Sequence, residues 1–260
     1  PLRFAPKTAL ILDHYSPPPH KEAAQIHATL RDFAQKTGAT IYDIGEGICH
    51  QLLPEKGHLT CGDLVVGTDS HSVTYGAFNA LGMGVEGTDL TAAMAYGKLW
   101  FQVPPTLKVT LDGVLMPGVW AKDVTLYMLG KLGAEGANYL AIEYVGSAVD
   151  AMDIDDRMTL CNHAAELGAK AALLEADSKT LQWLAEHNAR PPKPVAADRS
   201  AQYLDQFSIN TAQITPQLAR RHEVDDIVCV TEAAGQKIQV ALVGTCTNGR
   251  LDDIRQVAAV

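Results

Sequence analysis

The 260-residue sequence has no apolar run long enough to span a bilayer, no cluster of basic residues and few aromatic side chains. A spanning helix needs about 20 consecutive apolar residues, and the opening residues Pro1 to Pro6 lack the apolar core of a signal peptide. The formal net charge of −9 disfavours nucleic acid as the main ligand. We therefore expect no nucleic acid and no membrane.

Paired cysteine spacing is also missing. The five cysteines are odd in number and scattered, whereas a disulfide framework or a zinc site needs a regular spacing. The pattern indicates reduced thiols with one or two functional members. Four of them are best interpreted as packing residues: Cys49, Cys61, Cys161 and Cys229.

Cys246 has the most informative context in the chain. It lies in Val-Gly-Thr-Cys-Thr-Asn-Gly-Arg, after the apolar run Ile238–Val243, which predicts a strand. The residues after the cysteine predict a helix that ends at Val260, in a pattern without a terminating cap. The N–H groups of a helix start favour a thiolate. The sequence thus predicts a metal ligand or a nucleophile, with an inert buried cysteine as the alternative.

Apolar runs alternate with helical patterns, which predicts an α/β fold. Strands are predicted at Ala9–Leu12, Thr40–Tyr42, Leu64–Val66, Leu107–Leu111, Ala141–Val145, Ile227–Val230 and Ile238–Val243. Helices are predicted at Lys21–Thr37, Gly87–Gly97, Ala121–Gly133, Asp155–Leu167, Ser178–Glu186 and Arg250–Val260. Paired prolines set extended links and predict a first lobe over 1–104, a second over 105–191, a connecting segment over 192–225 and the start of a third lobe over 226–260.

Two groups that combine a carboxylate with an imidazole follow predicted strands: Asp13-His14 and Asp69-Ser70-His71. A carboxylate beside a histidine orients the ring and raises its pKa, which suits a general acid. The alternative is a turn aspartate with a solvated histidine. A serine hydrolase is not indicated, since the chain has no G-x-S-x-G motif.

Asn162 and Glu166 are four residues apart on a predicted helix and so share one face. An amide and a carboxylate placed together orient a water molecule at a metal. The alternative is a solvated helix edge.

In their order and wording these motifs resemble the aconitase superfamily of iron–sulfur hydro-lyases. The segments that carry the closest similarity are Tyr42–Gly57, Thr74–Phe78 and Gly97–Lys108. They are most similar to the branch that contains the large subunits of 3-isopropylmalate dehydratase and homoaconitase. The resemblance implies three-layer α/β/α lobes, truncated here, and reversible loss of water from a small hydroxy dicarboxylate.

The resemblance also implies a role for each motif. His14, paired with Asp13, is implied as the acid for the departing hydroxyl. Asp69, paired with His50, is implied to position water or the substrate hydroxyl together with His71 and Glu166. Substrate contacts are implied at Ser70, Thr74 and Asn162.

A [4Fe–4S] cluster is implied as the cofactor, with Cys246 as one of its three thiolate ligands. In the family the other two come from a Cys-x-x-Cys pair in a C-terminal portion, and an N-terminal segment precedes the first strand. This sequence contains neither, so we expect a fragment. The family also implies a separate small subunit that carries the swivelling domain, and a cytoplasmic setting.

The substrate that the resemblance favours is 2- or 3-isopropylmalate, an intermediate of leucine biosynthesis. Homoaconitase and 2,3-dimethylmalate dehydratase activities stay open. A cluster-free scaffold or binding module with the same fold is the alternative from another class of protein.

Overall fold

The computed structural model describes residues 4–187 and 190–259. The first part of the chain contains β1 (Ala9–Ile11), α1 (Lys21–Thr37), β2 (Thr40–Tyr42), α2 (Cys49–Glu55), β3 (Leu64–Gly67), β4 (Leu81–Gly84) and α3 (Gly87–Tyr96). The middle contains β5 (Thr106–Asp112), α4 (Ala121–Leu132), β6 (Ala141–Val145), α5 (Ser147–Ala151), α6 (Ile154–Asn162), β7 (Ala171–Leu173) and α7 (Ser178–His187). The last part contains β8 (Asp205–Asn210), β9 (Gln217–Ala219), β10 (Ile227–Cys229) and α8 (Leu251–Ala258).

The largest sheet is parallel and has the strand order β7-β6-β5-β8. Two smaller parallel pairs, β1 with β2 and β3 with β4, belong to the first part of the chain. Strands β9 and β10 form an antiparallel pair. Parallel strands joined through helices are the mark of an α/β protein, so the predicted fold class is confirmed.

The central sheet is built around β5, in which apolar and polar residues alternate. In β5, Leu107, Val109 and Leu111 are buried, while the side chains between them are half-buried. An alternation with period two places one set of side chains on one face of the sheet. The same core contains Ile142 of β6 and Met128 of α4.

A 3-10 helix at Ser70–Phe78 connects the first part of the chain to the central sheet. Two glycines let it approach its neighbours closely. A Cβ atom at Gly76 would lie 1.7 Å from the carbonyl oxygen of Ala172 in β7, and one at Gly82 would lie 2.1 Å from that of Ser72. Glycine is required at both positions, and the helix start at Ser70 is thereby fixed beside the sheet.

Most predicted elements are present close to their predicted bounds. The helix predicted over Asp155–Leu167 is divided into α6 and a 3-10 helix at His163–Leu167. The helix predicted to end at Val260 includes one residue outside the described ones, and α8 ends at Ala258. Four strands are not indicated by the sequence pattern, because they are short, rich in Gly or Ala, or polar: β4, β7, β8 and β9.

The strand predicted at Ile238–Val243 is wrong. These residues have no regular secondary structure, and Ile238, Val240 and Leu242 are each about four-fifths exposed. A strand needs a partner for its backbone N–H and C=O groups. Within residues 4–187 and 190–259, no strand pairs with this segment.

The segment 192–225 contributes to the central sheet through β8, which pairs with β5 in parallel. The division into lobes at 104, 191 and 225 stays a prediction, and its residues 1–3 lie outside the described part of the chain. Among the helices described, none combines the length and apolarity needed to cross a membrane.

Candidate active site

The Asp13-His14 pair lies directly after β1, at the surface of the first part of the chain. Oδ1 of Asp13 lies 2.9 Å from Nδ1 of His14, and Oδ2 accepts a hydrogen bond of 2.8 Å from the backbone N–H of Cys49. Asp13 therefore joins the end of β1 to the first residue of α2. The hydrogen bond that His14 donates to Asp13 raises the pKa of His14 against the opposing effect of burial, so the ring holds its proton more firmly.

His27 supports this pair from α1. Its side chain is buried, and its Nε2 atom lies 3.2 Å from the carbonyl oxygen of His14. Sequence reasoning assigned His27 no functional part, because a histidine within a helix carries no signal for a contact thirteen residues away.

Asp69 is the centre of the site and contacts three histidines. It follows β3 and caps the 3-10 helix by accepting a hydrogen bond of 2.8 Å from the N–H of His71. Its Oδ2 atom lies 3.5 Å from Nε2 of His14 and 3.5 Å from Nε2 of His50. Its Oδ1 atom lies 3.4 Å from Nδ1 of His71.

This arrangement fixes protons on the histidines. Hydrogen bonds from His50 and His71 hold the pKa of Asp69 well below its usual range. Burial opposes a charge on His50, but hydrogen bonds to Asp69, Cys246 and Cys49 outweigh it and raise the pKa of His50 to about 11. The bonds to Asp69 and Glu166 raise the pKa of His71 to about 9. At neutral pH the site therefore holds a carboxylate among imidazolium groups.

Glu166 reaches the site from a part of the chain 95 residues after His71. It lies in the 3-10 helix after α6, and its Oε1 atom lies 3.2 Å from Nε2 of His71. That hydrogen bond lowers the pKa of Glu166 and keeps it ionised. Two more predicted residues contact His71: the hydroxyl of Ser70 lies 3.4 Å from its Nδ1 atom, and that of Thr74 donates 2.6 Å to its carbonyl oxygen.

Asn162 connects the 3-10 helix at Ser70–Phe78 to the loop over residues 244–249, which carries Cys246 and is called the cysteine loop below. Its amide donates to the hydroxyl of Thr74 at 2.9 Å and to the sulfur of Cys246 at 3.6 Å. Its Oδ1 atom accepts from the hydroxyl of Thr247 at 2.7 Å. Since Asn162 is fully buried at the end of α6, it fixes the position of the Cys246 loop.

The sequence predicts that a helix start favours a thiolate at Cys246. That cause is wrong, but the pKa of Cys246 is lowered, as a thiolate requires. Helix α8 begins at Leu251 with Arg250 as its N-cap, four residues after the cysteine, so Cys246 is not at the helix start. Burial raises the pKa of Cys246, but the hydrogen bond with His50, the charge of His71 and the amide of Asn162 together lower it. Imidazolium groups therefore favour the thiolate.

Arg250, directly after this loop, is a further residue that sequence reasoning missed. Its guanidinium donates to the carbonyl oxygens of Thr247 at 2.8 Å and Cys246 at 3.3 Å, and to Oε1 of Gln51 in α2 at 3.2 Å. It is almost fully buried. Arg250 thus ties the cysteine loop to the histidine-bearing helix α2.

The other cysteines differ from Cys246 in their surroundings. Cys61 and Cys161 are buried, and burial raises the pKa of both thiols. Cys49 lies beside His50 with an Sγ–Nδ1 distance of 3.5 Å, and burial raises its pKa. Its sulfur, a nitrogen of His50 and an oxygen of Asp69 lie within 4.8 Å of one another, close enough to bind a metal ion. The raised pKa of His50 opposes such binding, because a histidine ligand must lose its proton.

The thiol of Cys246 fits the requirements of one protein ligand to an iron–sulfur cluster. Cys246 is half-buried, has a lowered pKa and faces the carboxylate–imidazole array. A cluster ligand is a thiolate, so Cys246 meets this requirement. All ten residues singled out from the sequence lie in this one connected array: Asp13, His14, His50, Asp69, Ser70, His71, Thr74, Asn162, Glu166 and Cys246.

Comparison with known proteins gives consistent matches. The chain is 44% identical over 255 residues to a probable 3-isopropylmalate dehydratase large subunit of Methanothermobacter thermautotrophicus, which covers 98% of this chain and 61% of the relative. It is 43% identical over 249 residues to a probable methanogen homoaconitase large subunit of Methanosarcina mazei, covering 95% and 64%. A 3-isopropylmalate dehydratase large subunit of Thermotoga maritima is 40% identical over 252 residues, covering 96% and 60%.

The chain thus spans about three fifths of the length of these curated relatives. Residues 9–260 match the Aconitase family (aconitate hydratase). The resemblance inferred from the motifs is confirmed: the chain belongs to the aconitase family.

Proposed function

We propose that the full-length protein is the large subunit of an iron–sulfur hydro-lyase that moves a hydroxyl group on a small hydroxy dicarboxylate. The observation that supports this best is the contact of Asp69 with three histidines, one of which also pairs with Glu166. Such an array holds several protons close together at neutral pH. Elimination and re-addition of water need a proton donor and groups that orient the departing or entering oxygen.

His14 is proposed as the acid that protonates the departing hydroxyl. Its ring is largely exposed, so a substrate can reach it, while Asp13 holds its orientation from the Nδ1 side. The raised pKa favours the protonated ring. Its Nε2 atom, 3.5 Å from Asp69, is the atom from which a proton leaves.

His71 and Glu166 are proposed to orient the oxygen that leaves and returns. The two residues are 95 positions apart in the chain, and Nε2 of His71 lies 3.2 Å from Oε1 of Glu166. Asp69 holds His71 and the buried His50 as imidazolium groups, so the positive charge is in place before substrate binds. Charge that is organised in advance costs no reorganisation during the reaction.

Cys246 would hold one corner of a [4Fe–4S] cluster, with two further thiolates expected from a Cys-x-x-Cys pair outside this sequence. When bound, the cluster supplies a Lewis-acidic iron that polarises the substrate hydroxyl and a carboxylate. Asn162 and Arg250 keep the Cys246 loop in position for that ligand. Ser70 and Thr74 are proposed to contact the substrate from the start of the 3-10 helix.

The substrate is proposed to be 2- or 3-isopropylmalate in leucine biosynthesis, as the names of the relatives indicate. Homocitrate is the second candidate, because a relative named as a homoaconitase large subunit is equally similar; 2,3-dimethylmalate is a third. Relatives named as large subunits also support a separate small subunit with the swivelling domain. A cytoplasmic setting belongs to this proposal.

The test is an anaerobic assay of the full parent chain, purified with its small subunit and reconstituted with iron and sulfide. Ultraviolet absorbance of the unsaturated acid follows the reaction of isopropylmalate, homocitrate, 2,3-dimethylmalate and citrate. We expect turnover of isopropylmalate. Preference for another of the four acids would reassign the substrate, and failure to form any cluster would favour a scaffold that kept only the fold.

A further inference from the structure

A small cavity lies outside the array of ten residues described above. It is lined by the end of β4, by α3 with the segment that follows it, and by Lys170 directly before β7. Its volume is about 260 Å³, below the roughly 300 Å³ at which pockets for drug-sized ligands begin. A ligand of this cavity is therefore a small metabolite.

One wall of the cavity is apolar. Leu99, Trp100 and Phe101 line it from the segment after α3, and Met83 and Val85 line it from the end of β4. Trp100 is 87% exposed, although an indole ring is one of the largest apolar surfaces that a side chain offers. A ligand with an apolar body that covers this wall removes the ring from water, which favours binding.

Two side chains of opposite charge line the same cavity: Asp89 in the first turn of α3 and Lys170. The ammonium of Lys170 donates a hydrogen bond of 2.6 Å to the carbonyl oxygen of Gly84, and it lies 6.0 Å from the ring centroid of Tyr139. An ammonium has three N–H donors. The bond to Gly84 therefore leaves donors of Lys170 available to a ligand.

The carboxylate of Asp89 is available as well. Within residues 4–187 and 190–259 it accepts no hydrogen bond and forms no ion pair, either with Lys170 or with another cation. Two opposite charges thus line one small cavity without pairing with each other. A ligand that pairs with both satisfies both.

These features together select a class of ligand. A dicarboxylate is repelled by Asp89, a diamine is repelled by Lys170, and an uncharged apolar molecule leaves both charges without a partner. A small molecule with one positive group, one negative group and an apolar body fits the two charges and the apolar wall at once. Free α-amino acids with apolar side chains have this chemistry.

We propose that this cavity binds a free α-amino acid with an apolar side chain. The ammonium of the ligand pairs with Asp89, its carboxylate pairs with Lys170, and its side chain covers Trp100. The inference is independent of the proposed function, because no residue of the array lines the cavity. The cavity nevertheless adjoins the array, since a Cβ atom at Gly84 would lie 2.9 Å from Cα of Ser70.

The experiment measures equilibrium binding by calorimetry, with the full parent chain purified together with its small subunit. The probes are L-leucine, its decarboxylated analogue 3-methylbutylamine, its deaminated analogue 4-methylpentanoate, and glycine. Only the heat that an excess of L-leucine abolishes is assigned to the cavity, so that binding of an acid at the candidate active site is not counted.

The two charged residues should respond to different probes. Asp89→Asn should weaken binding of L-leucine and 3-methylbutylamine about 10- to 100-fold and leave 4-methylpentanoate unchanged. Lys170→Gln should weaken binding of L-leucine and 4-methylpentanoate by a similar factor and leave 3-methylbutylamine unchanged. Glutamine keeps an N–H donor for the carbonyl oxygen of Gly84, so this variant removes the charge and retains the local contact.

The apolar wall and the controls are measured in the same way. Glycine should bind the wild type about 10-fold more weakly than L-leucine does, and Trp100→Ala should reduce that difference. Lys131→Gln is the matched control for Lys170, because the Lys131 ammonium also lies over a tyrosine ring, 5.2 Å from the centroid of Tyr127. Lys131→Gln and the exposed Asp32→Asn should bind L-leucine as the wild type does.

Absence of L-leucine binding to the wild type would overturn the inference. An equal loss for the amine and the acid in Asp89→Asn would also overturn it, since a charge-specific contact affects only one of them. Circular dichroism checks each variant, and the exposed Asp89→Asn decides the matter if Lys170→Gln does not fold. Turnover of hydroxy acids is measured separately, and its absence in a complex that binds L-leucine would overturn the proposed function alone.

Discussion

Nε2 of the fully buried His50 lies 3.5 Å from Oδ2 of Asp69. The same oxygen lies 3.5 Å from Nε2 of the exposed His14. One carboxylate thus links a histidine in the core of the site with a histidine at its surface. Because Asp69 also caps the 3-10 helix of His71, a change at this position alters three imidazoles together.

Asp69→Asn should flatten the pH dependence of folding stability at alkaline pH. The pKa values of His50 and His71 are raised to about 11 and about 9 in the folded chain, against about 6.5 when unfolded. The free energy by which these two protonated histidines stabilise the fold is therefore fully present below about pH 6.5. It is lost as the pH rises through about 9 to 11. Asparagine removes the main cause of both shifts.

The measurement for Asp69→Asn is the free energy of unfolding from denaturant titrations between neutral pH and pH of about 10. The control is Asp226→Asn, which removes an exposed carboxylate paired with Arg220. A wild-type stability that does not fall over this interval, or an equal fall in Asp69→Asn, would contradict the assigned proton positions.

Asp13→Asn should shift the alkaline limb of the activity profile to lower pH. The hydrogen bond that His14 donates to Asp13 is the main cause of the raised pKa of His14. Without it, His14 loses its proton at a lower pH, and the proposed acid fails earlier. The profile of kcat/KM against pH reports this, and Asp32→Asn, an exposed partner of Lys36, should leave it unchanged.

Cys246→Ser in the full-length chain should abolish the visible absorbance of the reconstituted cluster. Serine has a similar size and keeps the contacts of the cysteine loop, but it does not supply a thiolate. Cys229→Ser is the control, because the sulfur of that cysteine accepts hydrogen bonds from the hydroxyls of Thr215 and Thr231, neither of which belongs to the candidate site. An unchanged spectrum in Cys246→Ser would refute the ligand assignment.

Arg157→Leu should destabilise the fold by about 3 kcal/mol. Arg157 is fully buried in α6, and its guanidinium donates 2.8 Å to Oδ1 of Asp177 and 3.0 Å to the hydroxyl of Thr180. Leucine leaves Thr180 and Asp177 without these donors. The exposed Arg220→Leu should change the free energy of unfolding by less than about 1 kcal/mol, and equal effects of the two would contradict this view of α6.

The part of the site that the sequence predicts is local. Asp13 with His14 and Asp69 with His71 are close in the chain, and strand ends position them. The meeting of His71 with Glu166, 95 residues away, follows from the resemblance and not from any local pattern. His27 and Arg250 were missed, because their contacts depend on how helices pack.

The secondary structure shows the same limit. Amphipathic helices such as α1 and α7 are predicted well, since their periodicity is set by the sequence itself. Strand β8 is polar, and β4 is half glycine, so their pairing is decided by neighbours. Conversely, the apolar run at Ile238–Val243 has strand composition without a strand beside it among the residues described.

The central claim is that the array around Asp69 moves the protons of water elimination. It is tested most directly by the dehydration rate of His14→Gln in the reconstituted full-length complex, with cluster absorbance measured on the same sample. The account predicts a loss of about 100- to 10,000-fold with an unchanged cluster spectrum. A wild-type rate with the cluster intact would contradict it.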